Sequence, residues 1–298
     1  MPPVISFLAG GDQILHKKVI SYGLEHDNDF SYLFEQIKDR IQQADLASLN
    51  QETVYVDSHD KISDYPRFGS PAEVSDAVAG AGFDIVSLAN NHILDQGRDG
   101  VNYTAEVNDR LGIIRTGIHA DGEGTDPEDM ITYTEKKGVR FALLSCTYGI
   151  NGTGGLPAFV DGFQDEDKLI TALQIAREQA DCVILYAHWG QEYSEEPDDL
   201  QRRLAAICAE NHVDVIIGTH PHVVQSMEWI KSRDNHRTLV YYSLGNLISN
   251  PKYEQCLNGA LASFEVVNVP GNASEIINAS MIPTETVLSE KVYVQIRE

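Results

Sequence analysis

No stretch of the sequence approaches the ~18–20 consecutive apolar residues of a membrane-spanning helix, so no intrinsic membrane segment is expected. Basic residues are scarce: 22 Lys+Arg against 45 Asp+Glu leave a formal charge of −23 at neutral pH. That balance argues against nucleic acid and anionic membrane surfaces as partners, since both require Lys/Arg patches. An anionic substrate would need local help from a metal ion or a helix N-terminus. Cysteine is sparse, with Cys146, Cys182, Cys208 and Cys256 widely spaced and no C-x-x-C pair. Reduced, mostly buried thiols are therefore expected in place of a disulfide framework. The N-terminus has no basic n-region, and its apolar run stops at Gly10-Gly11-Asp12, which reads as a first strand and not as a secretory signal. A cytoplasmic location follows as an expectation, with peripheral membrane association left open, and the sequons at Asn151, Asn272 and Asn278 read as chance matches. There is also no phosphate-binding G-x-x-x-x-G-K-[ST], no G-x-G-x-x-G after a strand and no G-x-S-x-G elbow, so nucleotide switching and serine-esterase chemistry drop out.

What is present is enough apolar residue, 42% over 298 positions, to build a proper core. Strand and helix patterns alternate along the first 220 residues. Strands are predicted over Val4–Ala9, Asp45–Leu49, Phe83–Leu88, Val183–Tyr186 and Val213–Ile217. Helical spacing links Phe30, Leu33, Phe34, Ile37 and Ile41 after an Asp29 cap. A second helix opens at Ser70-Pro71, and others cover Asp165–Gln179 and Pro197–Glu210. Hairpins are predicted for Met130–Thr134 with Val139–Cys146, across Lys137-Gly138, and for Val223–Ile230 with Thr238–Leu244. The acidic, Gly-containing stretch Asp121–Asp129 reads as an exposed loop, and strands dominate the end, around Ala262–Val269 and Lys291–Ile296.

Reactive side chains follow the ends of several of these strands: Asp12, Glu52, Asn91, His188, His220 and His222. In open α/β sheets the loops at that edge converge on one crevice. Packing such groups together without a cation would leave costly unpaired polar atoms, so a site for Zn, Mn, Fe or Mg, with one or two ions, is expected. Glu192 stands within reach of His188 as an orienting group. His92, with Asp95 three residues on, has the spacing of an oriented general acid or base. Ser243-Leu244-Gly245-Asn246 either lines the pocket or is a purely structural turn.

Taken in order, Gly11-Asp12, Asn50-Gln51-Glu52, Ala89-Asn90-Asn91-His92 with Asp95 and Gly97, His188 to Tyr193, Gly218-Thr219-His220-Pro221-His222 and Tyr242 to Asn246 resemble the CapA family of bacterial capsule or poly-γ-glutamate synthesis proteins. Its likeness to calcineurin-like metallophosphoesterases implies a four-layer α/β/β/α sandwich. It also implies one domain, 1–298, with a motif-bearing core over about 4–250 and C-terminal strands in 251–298 completing the second sheet. By position the resemblance implies metal ligation by Asp12, Asn91, His188, His220 and His222. Two departures stand out: Ile14 takes the place of the His in the phosphoesterase D-x-H, with His16 nearby as a substitute, and Asn50-Gln51-Glu52 replaces the segment that carries the bridging Asp.

The function implied is synthesis, handling or release of an anionic peptide-type polymer, alone or with other capsule-synthesis proteins. His92 and Asp95 would be catalytic, and His16, Asn50, Glu192 and Asn246 would support the centre. Three other readings remain open: a soluble phosphoesterase in which protonated His92 assists the leaving oxygen, a non-catalytic binding or scaffold protein, and an epimerase working by proton transfer at a peptide Cα.

Overall fold

The computed structural model describes residues 2–120, 122, 124–268 and 274–297. Asp121 and Glu123 of the expected acidic loop, the Asn272 sequon and Val269 lie outside the described residues. In the first half of the chain come β1 (Val4–Gln13), helices α1 (Lys17–Glu25) and α2 (Lys38–Gln43), β2 (Leu46–Gln51), the two-residue strands β3 (Tyr55–Val56) and β4 (Ser70–Pro71), α3 (Val74–Ala81), β5 (Ile85–Ser87), α4 (Gly97–Arg110) and β6 (Ile114–Thr116). The hairpin strands β7 (Thr132–Lys136) and β8 (Val139–Thr147) follow, then α5 (Glu166–Gln179), β9 (Cys182–His188), α6 (Asp199–Glu210), β10 (Val215–Thr219), β11 (Met227–Lys231) and β12 (Arg237–Tyr241). The chain closes with β13 (Asn246–Ile248), β14 (Asn258–Val267), β15 (Glu275–Leu288) and β16 (Val292–Ile296).

Two large sheets result, ordered β16-β15-β14-β1-β2-β5-β6 and β11-β12-β10-β9-β8-β7, with β13 beside the end of β1, and β3 and β4 form a separate two-stranded sheet. Period-2 alternation builds the layers. Ile5, Phe7 and Ala9 of β1 face Phe141, Leu143, Ile184 and Ile217 of the other sheet, and Phe7 stacks on Phe264 at 4.9 Å. Leu8 points the other way, toward Val19, Ile41, Val78 and Val101 on α1–α4. Along β8 the same switch sends Ala142 and Leu144 outward against Leu169, Leu173, Leu204 and Cys208 of α5 and α6. The order of layers is therefore α/β/β/α, the architecture the resemblance implies. No described helix is long and apolar enough to cross a membrane. All four cysteines are free and buried.

Several elements differ from the sequence reading. Phe30, Leu33, Phe34, Ile37 and Ile41 are all buried, but not on one helix: Leu33 lies in a short 3-10 turn (Ser31–Leu33), Ile41 in α2, and Phe30, Phe34 and Ile37 outside both. Asp29 receives the Ser31 amide in a local turn; the apolar spacing reported a buried face without continuous helical bonding. Ser70-Pro71 is an edge strand parallel to β3, where a residue without an N–H is tolerated, and α3 starts only at Val74. The C-terminal strands extend the β1 sheet, not the second one, because β14 pairs antiparallel with β1 from Val4 to Ala9. The long β15 was not foreseen. In the 121–129 stretch, Pro127–Met130 forms a 3-10 turn under an Asp126/Asp129 capping box. The hairpin at Lys137-Gly138 is as expected: both residues have positive φ, 51° and 77°, which matches the twist of a two-residue primed turn.

The strands β1, β2 and β5 run parallel, as do β8, β9, β10 and β12, so the C-terminal ends within each set share an edge. An irregularity between Ala9 and Asp12 re-aims β1. There the Asp12 amide donates to Gly245 O at 2.9 Å, and a Cβ on Gly11 would sit 1.9 Å from that oxygen. Gly11→Ala is expected to cost stability at or above the upper end of the ~1–3 kcal/mol typical of overpacking, seen as a lower denaturant midpoint. An unchanged midpoint would show that the two loops can separate freely.

Candidate metal centre

Asp12, at the end of β1, is fully buried. Its Oδ1 accepts from Asn50 Nδ2 at 2.7 Å, and its Oδ2 accepts from the His220 amide at 3.2 Å and from His222 Nδ1 at 3.0 Å. Glu52, just beyond β2, is equally buried; Asn50 Nδ2 approaches its Oε2 at 3.4 Å. Its Oε1 has no hydrogen-bond partner and stands 4.0 Å from His188 Nε2 and 3.9 Å from His222 Nε2. Burial, and then the charge of Asp12, hold the Glu52 carboxyl well above the usual carboxylate range. One Asn amide is thus the donor shared by two buried carboxylates.

The imidazoles of His188 and His220 are set to be neutral donors. Burial lowers His188 far below the usual histidine value, and burial together with the neighbouring His222 lowers His220 to about 3. The 4.0 Å approach of His188 to Glu52 is therefore not an ion pair in the cation-free protein. His188 donates through Nε2 to Asn91 Oδ1 at 3.0 Å and accepts from Thr219 Oγ1 at 3.0 Å. His220 Nδ1 and Asn91 Nδ2 are buried without partners. His220 and His222 have φ of 98° and 59°, conformations that cost ~1–3 kcal/mol in a non-glycine residue and persist where surrounding structure enforces them.

Candidate ligand atoms converge within 4.8 Å in two groups, Asp12–Glu52–His188 and Glu192–His220–His222. The orphaned Glu52 oxygen, the orphaned His220 nitrogen and the neutral His188 and His220 imidazoles beside two buried acids fit a divalent cation in chemistry and in charge. Asn91 reaches this cluster through its bond to His188. Glu192 groups with His220 and His222 and does not orient His188, whose ring is held by Thr219 and Asn91. His16 belongs to neither group; its Nδ1 accepts from the Asn250 amide at 3.2 Å, and burial lowers its pKa. Ile14 lines the cavity beside the centre, and Gln51 is spent on structure, receiving Asn108 Nδ2 at 3.0 Å. The Ser243–Asn246 turn answers both readings: Ser243 Oγ ties Val223 O at 2.7 Å, while Asn246, bonded to Cys256 O at 2.9 Å, lines the cavity.

His92 lies beside the centre. Its Nδ1 donates to Asp95 Oδ2 at 2.7 Å, and Asp95 is anchored by the Phe68 amide at 2.7 Å. That bond fixes the tautomer and leaves Nε2 toward Asn151 Nδ2, 3.3 Å away. Asn151, which drew notice in the sequence only as a sequon, also bonds through its amide to Asn91 O at 2.9 Å. Tyr148 stacks against His188 and His220 with centroids 6.3 and 4.5 Å apart. Both residues follow β8, so the strand-end rule that exposed the other loops would have found them. A cavity of about 500 Å³ opens over His92 and His222.

A double-sheet α/β/β/α fold with acids, imidazoles and carboxamides gathered at the shared strand edge defines the metallophosphatase-like class. In fold the chain is similar to a phosphatase from Mycoplasma pneumoniae (TM-score 0.56, 15% identity, 95% of this chain and 94% of that one). It is similar also to the NAD nucleotidase of Haemophilus influenzae (TM-score 0.53, 14% identity, 95% and 56%). More particularly, residues 6–251 match the family described as "Bacterial capsule synthesis protein PGA_cap", and the chain belongs to that family. Relatives include the PGA biosynthesis protein CapA of Bacillus subtilis (strain 168), 30% identical over 191 residues, which cover 62% of this chain and 47% of the relative. The capsule biosynthesis protein CapA of Bacillus anthracis is 28% identical over 247 residues, covering 79% and 58%. The chain spans about half the length of these curated relatives.

Proposed function

We propose that this chain acts on an anionic, amide-linked polymer of the poly-γ-glutamate type during capsule synthesis, at a divalent-cation centre held by Asp12, Glu52, Asn91, His188, His220 and His222. The observation that carries the reading is the buried pair Asp12 and Glu52, one oxygen of which has no partner, beside the His92–Asp95 pair. The names of the Bacillus relatives support the substrate class. When bound, Mn, Zn, Fe or Mg would supply Lewis acidity to a carbonyl or phosphoryl oxygen and offset the acidic surface around it. His92 Nε2 moves the proton, as acid or base, while Asp95 holds the ring and stabilises its charged form. Asn151 orients the outer face of His92, and Tyr148 covers the inner imidazoles against water.

Protein purified without chelator is expected to contain Mn, Zn, Fe or Mg near stoichiometry and to shorten or release γ-linked polyglutamate in a chelator-sensitive manner. Absence of metal would sink the centre. Turnover of an aryl phosphate without any effect on polymer would point instead to the phosphoesterase, and solvent deuterium entering the peptide to epimerisation. Polymer binding without either reaction, with capsule lost on deletion, would identify a scaffold.

A further inference from the structure

The cavity mouth carries a feature the metal centre does not use. In a chain with 22 Lys+Arg against 45 Asp+Glu, Lys252 is the one Lys or Arg side chain that lines this cavity. Among the described residues its ammonium enters no ion pair; it lies 5.2 Å over the ring of Tyr253. Tyr253 in turn meets Tyr193 edge to face at 4.8 Å, and Tyr193 reaches His222 at 6.1 Å. The two tyrosines, Tyr253 and Tyr193, are 39% and 40% exposed, so part of each side chain is open to a ligand. Tyr193 also has φ of 66°, a conformation rarely adopted by a bulky residue. It is held there by its amide bond to Pro221 O at 2.8 Å, which ties the ring to the loop that carries His220 and His222. Strain of this kind is retained where it fixes a side chain for use.

We propose that Tyr193, Tyr253 and Lys252 form a specificity subsite for a carboxylate-bearing acyl unit next to the reacting bond. Its methylenes would lie on the two tyrosine rings and its carboxylate would meet the Lys252 ammonium. This inference rests on the polymer reading above, deepening it from the class of polymer to the free carboxylate of one unit. On a surface of net charge −23 it offers an anion one cation, at a mouth that Glu192 also lines.

The test is calorimetric binding of γ-linked tri-glutamate and of its α-carboxamide analogue to the metal-loaded protein, with hydrolysis followed separately. The acid is expected to bind about five-fold tighter than the amide at low ionic strength, the scale of one exposed charge pair, with the difference shrinking as salt is added. Lys252→Gln should abolish the preference. Tyr193→Gly should weaken both ligands without lowering the melting temperature, because glycine relieves the left-handed strain. Equal binding of acid and amide by the wild type, binding of neither, or a preference that survives Lys252→Gln would each overturn the subsite. Acid preference lost in Lys252→Gln without any hydrolysis would leave the subsite standing and remove polymer cleavage from the function.

Discussion

Glu52→Gln is expected to weaken divalent-cation binding by about 100-fold or more, while raising the melting temperature of the metal-free protein by a few degrees. The two effects have opposite signs for one physical reason. Without a cation, Glu52 is a buried acid beside buried Asp12, with one oxygen unpartnered. A neutral amide of the same shape removes that repulsion and desolvation, worth on the order of 1–2 kcal/mol. With a cation, the same carboxylate is an attractive donor, and losing it costs at least as much as the 10–100-fold reported for supporting groups alone. Competition against a chromophoric chelator and calorimetric melting in chelator check the two halves. Wild-type affinity in the variant, or a metal-free form that melts several degrees lower, would contradict the assignment of Glu52.

His92→Ala should lower turnover in the polymer assay by ~10²–10⁴-fold, the range for a positioned acid or base, with metal content unchanged. The separation follows from geometry. His92 belongs to neither group of converging ligand atoms, and its Nδ1 is committed to Asp95. Asp95→Asn should produce a smaller loss in the same direction, since it disturbs the tautomer of His92 but leaves the ring in place. If metal content falls in step with activity, His92 is a ligand and the proton has another carrier.

Much of the centre was legible because reactive residues followed apolar runs. Asp12, Glu52, Asn91, His188 and His220-Pro221-His222 all lie where a strand pattern stops. Glu192 was placed with the wrong partner because proximity along the chain stood in for proximity in space; its neighbours come from the loop after β10. Tyr148, directly after β8, was within reach of the same strand-end rule, whereas Lys252 belongs to no motif and only the fold shows that it stands at the cavity. The strand β15 stayed hidden because Asn278 and Pro283 interrupt its pattern. Asn278 has φ of 52°, where the register with β14 slips between Ser263 and Glu265. Its inward positions include Thr284 and Thr286, so no clean apolar alternation survives.

The candidate centre would draw its donors from both halves of the sandwich: Asp12 and Glu52 from the β1 and β2 ends of one sheet, and His188, His220 and His222 from the β9 and β10 ends of the other. A cation there would act as a rivet through two plates whose spacing is otherwise set by side chains such as Phe7, Phe141 and Phe264. Linkage makes the coupling mutual: whatever binds the assembled sandwich and not the separated sheets adds to its stability as RT ln(1 + [L]/Kd). Metal affinity would then work as a gauge of sheet alignment, and a core substitution well away from any ligand would register at the rivet before it altered the fold.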